Sequence, residues 1–163
     1  MIAIAEELRN SMRYWLTGVT VVTSTFNQFE HGMTVSSFTS LSLEPPQILV
    51  SLQRNSRTHD LIMRSSIFGV TILASDQEDI SNVFAGRKTD EEDRMEGLDT
   101  FKISTGAPFL KGGVAFFDCK VITTIGSGTH TIFIAEVLET QIGRVDIDPL
   151  IYYNREYKRL QKS

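Results

Sequence analysis

The sequence predicts a mainly antiparallel β domain with a few short helices, rolled into a small barrel that closes to remove its edges. Three observations predict it. β-Branched and aromatic runs recur between clusters of turn residues, two long runs are joined only by a glycine turn, and helical spacing appears only in short stretches. No repeat, linker or low-complexity tract interrupts the chain, and 163 residues suit one domain over 1–163.

In residues 2–16, Ile4, Leu8, Met12 and Trp15 recur at helical spacing with Glu6, Glu7, Arg9 and Asn10 between them, marking an amphipathic helix expected to lid the sheet. Gly18 to Phe26 reads as a strand, and Asn27 to Gly32 as a hairpin connection. The hydroxyl-rich stretch that follows is the expected partner strand. Pro45 and Pro46 cannot sit mid-sheet, so the next strand is Gln47 to Leu52. A short helix over 57–65 and a strand over 67–73 come next. Ser75 to Glu78 has capping-box spacing ahead of Ile80, Val83 and Phe84, so a second helix should run to about Ala85, with Gly86 as its stop. Arg87 to Glu96 has little apolar content and reads as a mobile surface loop. Gly113 to Ile125 and Thr129 to Leu138 are two long strands of a hairpin turning at Gly126-Ser-Gly128. Pro149 to Leu160 reads as a terminal hairpin around Asn154, a residue that tolerates positive φ.

Composition removes several function classes. Hydrophobic content of 41%, charged content of 22% and 4 prolines fit an ordinary globular chain with a core. With 16 Lys plus Arg against 20 Asp plus Glu, the net charge is −4, which argues against nucleic acid as a partner. Cys119 is the only cysteine, so no intrachain disulfide forms and a reducing compartment fits. No stretch approaches the ~20 apolar residues of a membrane helix, and residues 1–16 lack a secretory core, so no membrane partner is expected and the cytoplasm is the default location.

Common catalytic patterns are missing. His31, His59 and His130 lie far apart without ligand spacing, so no metal is expected; a metal at Asp90, Glu91, Glu92 and Asp93 is poorly supported. There is no Gly-x-Ser-x-Gly elbow, no phosphate loop of the Gly-Lys-Ser/Thr type and no Gly-x-Gly-x-x-Gly fingerprint. What stands out is a run with six hydroxyl residues in the nine positions from Thr34 to Ser42. A wet strand face commonly carries Thr and Ser. Here, however, the alternation slips: Ser37 takes the apolar parity and Phe38 the polar one, which suggests a bend aiming N–H groups and hydroxyls at a polar ligand rim. Downstream, Gln53 to Thr58 runs from a strand end to a helix start with Ser56 as candidate N-cap. It reads about equally as an anion site using Arg54 and Arg57 or as a plain cap. Arg87 and Lys88 form another local positive cluster.

The segments Arg13 to Val22, Gly32 to Phe38, Ser40 to Pro46, Val50 to Leu52, Asn55-Ser-x-Thr58, Phe84-Ala-Gly86, Thr129 to Ile134 and Pro149 to Tyr153 resemble, in order, the short-chain NAD(P)H:flavin oxidoreductases. These are the reductase components of two-component flavin monooxygenases. The resemblance implies a split β-barrel of Greek-key type that dimerises, binds FMN or FAD near the subunit interface, and reduces it with NADH or NADPH for a separate monooxygenase. It implies that Thr34, Val35, Ser36 and Ser37 line the isoalloxazine ring, and that Ser51, Leu52, Gln53, Asn55, Ser56 and Thr58 approach the ribityl chain and phosphate. Ala85, Gly86 and Arg87 would complete the phosphate side, and His130 would lie beside the nicotinamide. Read without the resemblance, His130 is an ordinary strand histidine with a satisfied partner.

Three positions depart from the family pattern. Thr129 replaces an Asp, Ala135 replaces a Gly, and Asn154 stands where Gly often turns the last hairpin. The first bears on pyridine-nucleotide preference, and the other two look structural. Hydride transfer between two stacked cofactors needs no strong acid or nucleophile, which accounts for the missing catalytic patterns. Two alternatives stay open at this point: an oxygen-using, pyridoxamine-phosphate-oxidase-like split-barrel enzyme, and a non-catalytic flavin-binding or electron-carrier module.

Overall fold

The computed structural model describes residues 2–87 and 92–161. It opens with helix α1 (Ile2–Met12), whose predicted apolar positions do not lid the sheet: Ile4 is 70% exposed, Leu8 61% and Trp15 67%. Periodicity marks an apolar face without saying what covers it. Strands β1 (Thr17–Gly18), β2 (Thr20–Phe26) and β3 (Phe29–Val35) follow, then β4 (Thr39–Leu43) and β5 (Pro46–Gln53). Helix α2 (Arg57–Ser65) starts at the predicted Ser56 cap, where Ser56 Oγ accepts from the His59 N–H at 3.3 Å.

After β6 (Ile67–Ile72) comes a shorter helix than expected, α3 (Glu78–Asn82), followed by a π-helical turn over Val83–Arg87. The Ser75–Glu78 capping box does not form. Instead, the buried Gln77 side chain accepts from the Ala74 N–H and donates to the Lys111 carbonyl, tying two loops together. Gly86 ends the turn at φ 113, a conformation open to glycine. The small hairpin β7 (Thr100–Lys102) and β8 (Pro108–Leu110) was not expected: each strand is three residues long, and five residues without a two-residue turn signal separate them. The long hairpin β9 (Ala115–Ser127) and β10 (His130–Ile142) turns at Gly128-Thr129 and not at Gly126 to Gly128, because Ser127 pairs with His130. The terminal hairpin β11 (Ile151–Tyr153) and β12 (Glu156–Lys158) turns at Asn154 as predicted, and β1 adds to its edge. No helix among the described residues is long and apolar enough to cross a membrane.

The main sheet has seven strands in the order β3-β2-β6-β9-β10-β5-β4. The hydroxyl-rich stretch is therefore not one strand: it divides between β3 and β4, which stand at opposite ends of the sheet. Only Ser36, Ser37 and Phe38 link them, a connection reaching at most about 14 Å. Flat, the two ends of such a sheet would stand about 29 Å apart. The sheet therefore curls until its ends meet, as a split barrel does. Ser37 ties the seam, its Oγ accepting from the Ser51 N–H at 3.0 Å and donating to the Ser51 carbonyl at 2.8 Å.

Alternation along β2 fills two cores. Val22 faces the barrel interior with Val35, Val50, Leu52, Phe68, Cys119 and Phe133. Val21 faces the opposite way and joins Val19, Leu73, Phe84, Leu110 and Leu150. Each fully buried side chain of this size contributes about 2–3 kcal/mol to burial. Gly32 matters to the second layer, since a Cβ there would stand 3.0 Å from Phe84 Cε1; its absence lets the π-helical turn pack on β3.

Candidate functional site

The groove is built where the chain leaves the sheet. β3 pairs with β2 up to Val35 and β4 pairs with β5 from Thr39, so the N–H groups of Ser36, Ser37 and Phe38 fall outside both ladders. That is the bend expected from the alternation slip, and it leaves these donors outside the sheet's own pairing, with Ser36 and Ser37 at the groove. Two adjoining cavities of about 310 Å³ each meet there. One is lined by Met33, Thr34, Val35, Ser36, Ser37, Ser51, Gln53 and His130. The other is lined by His31, Met33, Thr34, Gln53, Asn55, Ser56, Thr58, Phe84, Ala85 and Arg94. Met33, Thr34 and Gln53 belong to both, so the two form one groove along β3 and the end of β5.

Eleven of the residues implied by the resemblance thus come together: Thr34, Val35, Ser36, Ser37, Ser51, Gln53, Asn55, Ser56, Thr58, Ala85 and His130. Leu52 does not, because its side chain is 1% exposed and lies in the barrel core, leaving only its backbone near the groove. Gly86 adjoins Ala85 but lines neither cavity. The Arg87 side chain, with Lys88, Asp90 and Glu91, lies outside the described residues. Among the described residues no three His, Cys, Asp or Glu side chains are placed to hold a metal ion.

Several hydroxyls in the groove are already engaged. Thr34 Oγ1 donates to the Ser81 carbonyl at 2.7 Å and Ser37 bridges the seam, so the rim offers its backbone N–H groups ahead of these two hydroxyls. Thr58 is fully buried with its Oγ1 2.8 Å from His31 Nδ1, which joins the first turn of α2 to β3. His59, one residue on, sits behind the groove with Nε2 2.9 Å from Thr131 Oγ1 and its ring edge-on to Phe133. Burial, and then the charge of Arg54, hold His59 below its ordinary value of 6.5. Thr129 Oγ1 lies 2.9 Å from His130 Nδ1, so the ring nitrogen facing the turn has a neutral partner. Cys119 offers no nucleophile: it is fully buried, and burial followed by the neighbouring Asp118 pushes its thiol pKa up.

Sequence reasoning missed Arg94. The stretch it belongs to was expected to be a mobile surface loop, yet Arg94 is 7% exposed and its Nη1 donates to the Gly32 carbonyl at 3.3 Å and the Phe84 carbonyl at 3.2 Å. The available signal was apolar: Met95 and Leu98, three apart, pack on the second core and carry Arg94 inward.

The groove suits a flavin on its own chemistry. Unladdered N–H groups at Ser36 and Ser37 match a carbonyl-rich ring edge, and the far end combines the α2 N-terminus with a buried Arg94, as a phosphate requires. Residues 12–161 match the family model described as flavin reductase like domain. The NADH-dependent flavin reductase StyB of Pseudomonas fluorescens is 35% identical over 151 residues, covering 91% of this chain and 86% of that protein. The reductase component of an FADH(2)-dependent resorcinol hydroxylase from Rhizobium sp. (strain MTP-10005) is 33% identical over 156 residues, covering 94% of this chain and 86% of that protein. Among solved structures, the Streptomyces globisporus C-1027 NADH:FAD oxidoreductase SgcE6 in complex with NAD and FAD fragments superposes with a TM-score of 0.88 at 29% identity, covering 96% of this chain and 93% of that one. The chain, matched along nearly all its length, belongs to the flavin reductase like family.

Proposed function

We propose that this chain, acting as a single domain over 1–163, is an NADH-dependent flavin reductase supplying reduced FMN or FAD to a partner monooxygenase. The observation that carries the reading is the groove: a polar rim at Thr34, Ser36, Ser37 and Ser51 leading to a cationic, helix-capped end at Asn55, Ser56, Thr58 and Arg94. The names of the relatives, NADH-dependent reductases and oxygenase reductase components, support the donor and the partner. When bound, the flavin accepts a hydride from the nicotinamide, and the chain's own task is to hold the two in contact. Thr34 to Ser37, with Ser51 and Gln53, position the ring through rim N–H groups. Ala85 lines the phosphate side, Gly86 and Arg87 are assigned to that side as its neighbours in the chain, and the Leu52 backbone continues the rim. His130, at the other wall, orients the donor.

Steady-state oxidation of NADH should require added FMN or FAD, and crossing both flavins with NADH and NADPH gives the preferences. No turnover in any combination sinks the reading. His130→Ala should cut the nicotinamide-dependent rate more than it weakens flavin binding, and equal losses would contradict the donor-side role.

The same reading makes the protein a homodimer. Cross-strand partners share a face, so Ile125, Ile132 and Ser51 form one row on the outside of the sheet and Thr123, Ile134 and Leu49 the next. That apolar outer face adjoins the groove at Ser51 and lies near Leu41 and Leu43, which are 46% and 84% exposed. Exposed apolar side chains on this face and on α1, among them Ile4, Leu8, Ile122, Ile125 and Leu43, are of the kind that a subunit contact covers. Light scattering should give twice the chain mass; a monomer at micromolar concentration would contradict the dimer. A cytoplasmic setting, where the buried Cys119 stays reduced, belongs to this reading.

A further inference from the structure

The β11–β12 hairpin closes through Asn154 and Arg155, both left-handed at φ 51 and 66. A two-residue turn of this type favours Asn followed by Gly, so Arg155 occupies the position where a β-carbon costs most. Gln28 holds the same place in the β2–β3 turn at φ 67, so strain alone does not single Arg155 out. Its location does. Arg155 lines a cavity of about 400 Å³ that meets the flavin groove at Thr34, Val35 and Ser36, with Tyr152 on the same wall. Among the residues lining that cavity, Arg155 is the one with a formal charge, in a chain whose net charge is −4.

The ledge carrying it is held from both sides. The Asn154 N–H donates to the Arg13 carbonyl at 2.9 Å, and the Tyr157 hydroxyl lies 2.8 Å from Ser81 Oγ and 3.2 Å from Asn82 Oδ1. Tyr152 packs edge-on to Tyr157 at 5.4 Å and remains 37% exposed, leaving an aromatic surface in the cavity that Arg155 also lines. A positive group and an aromatic face next to a hydride-transfer groove match the phosphates and base of a dinucleotide. The flavin's own phosphate has the α2 and Arg94 end of the groove.

We propose that Arg155 binds the phosphates of the dinucleotide donor and that the strained turn is retained for this purpose; the proposal rests on the reductase reading above. The test is Arg155→Gly, which removes the guanidinium and relieves the turn together. Melting temperature should rise while KM for NADH rises about tenfold and KM for flavin stays within about twofold. The KM effect should vanish with 1-benzyl-1,4-dihydronicotinamide, a donor without phosphate, and Arg155→Lys should recover part of it. An unchanged KM for NADH, an equal rise for the phosphate-free donor, or a rise for flavin instead would each overturn the proposal while leaving the reductase reading intact. Failure of the unaltered chain to oxidise NADH with any flavin would overturn both.

Discussion

Arg94→Met should weaken FMN binding about tenfold to a hundredfold while leaving riboflavin, which lacks the phosphate, nearly unaffected. The guanidinium lines the same cavity as Asn55, Ser56 and Thr58 and lies behind the α2 N-terminus, so a phosphate there would meet a charge and helix N–H donors together. A hydrogen bond to a charged partner is worth about 1.5–3 kcal/mol, which sets the expected range. Methionine keeps a long apolar stem at this buried position while removing the charge. The riboflavin comparison then separates charge from shape, because a mere loosening of the Gly32 and Phe84 carbonyl contacts would weaken both flavins alike. Isothermal titration of both ligands against both proteins decides it. Equal losses for FMN and riboflavin would leave Arg94 a structural residue and move the phosphate elsewhere.

Arg94 also marks where sequence stops being informative. Helix α2 and its Ser56 cap were legible because capping is a local pattern, and the bend after Val35 was legible because alternation fails within a few residues. Burial of Arg94 depends on Gly32 and Phe84, ten and more positions away in the chain, and the one local signal, Met95 and Leu98 three apart, is outweighed by the acidic run around it. The closure of the barrel was expected in kind but not in mechanism. It follows from a three-residue link between the two end strands and from one serine across the seam, which only the strand order shows. The α1 face was read correctly as apolar and assigned wrongly to the sheet, since periodicity is silent about whether the partner lies in the same chain. The role proposed for His130 rests on family likeness alone; the bare residue in a strand is an ordinary one.

Asp118→Ala should be the most destabilising of these substitutions, lowering stability by about 3–5 kcal/mol and melting temperature by about 10 °C. Asp118 is fully buried in β9, with Oδ2 accepting from the Ser104 N–H at 2.7 Å and the Thr105 N–H at 2.8 Å, while the Thr105 hydroxyl donates to Oδ1. Alanine would leave those donors, on a half-buried loop, without their acceptor. The loop they hold delivers β8, where Phe109 sits so close to β6 that a Cβ on Gly69 would stand 2.8 Å from its ring, and where Leu110 enters the second core. The Thr23 hydroxyl fixes the same strand by donating to the Pro108 carbonyl. Asp118→Asn should lose less, since its remaining oxygen still accepts from one side, but its amide presents hydrogens to a second donor. Neither residue 104 nor 105 lines the groove, so flavin affinity measured well below the melting temperature should hold within about twofold. A loss under about 1 kcal/mol in urea unfolding would show that the loop is held by the packing of Phe109 and Leu110, and that the buried carboxylate is incidental to it.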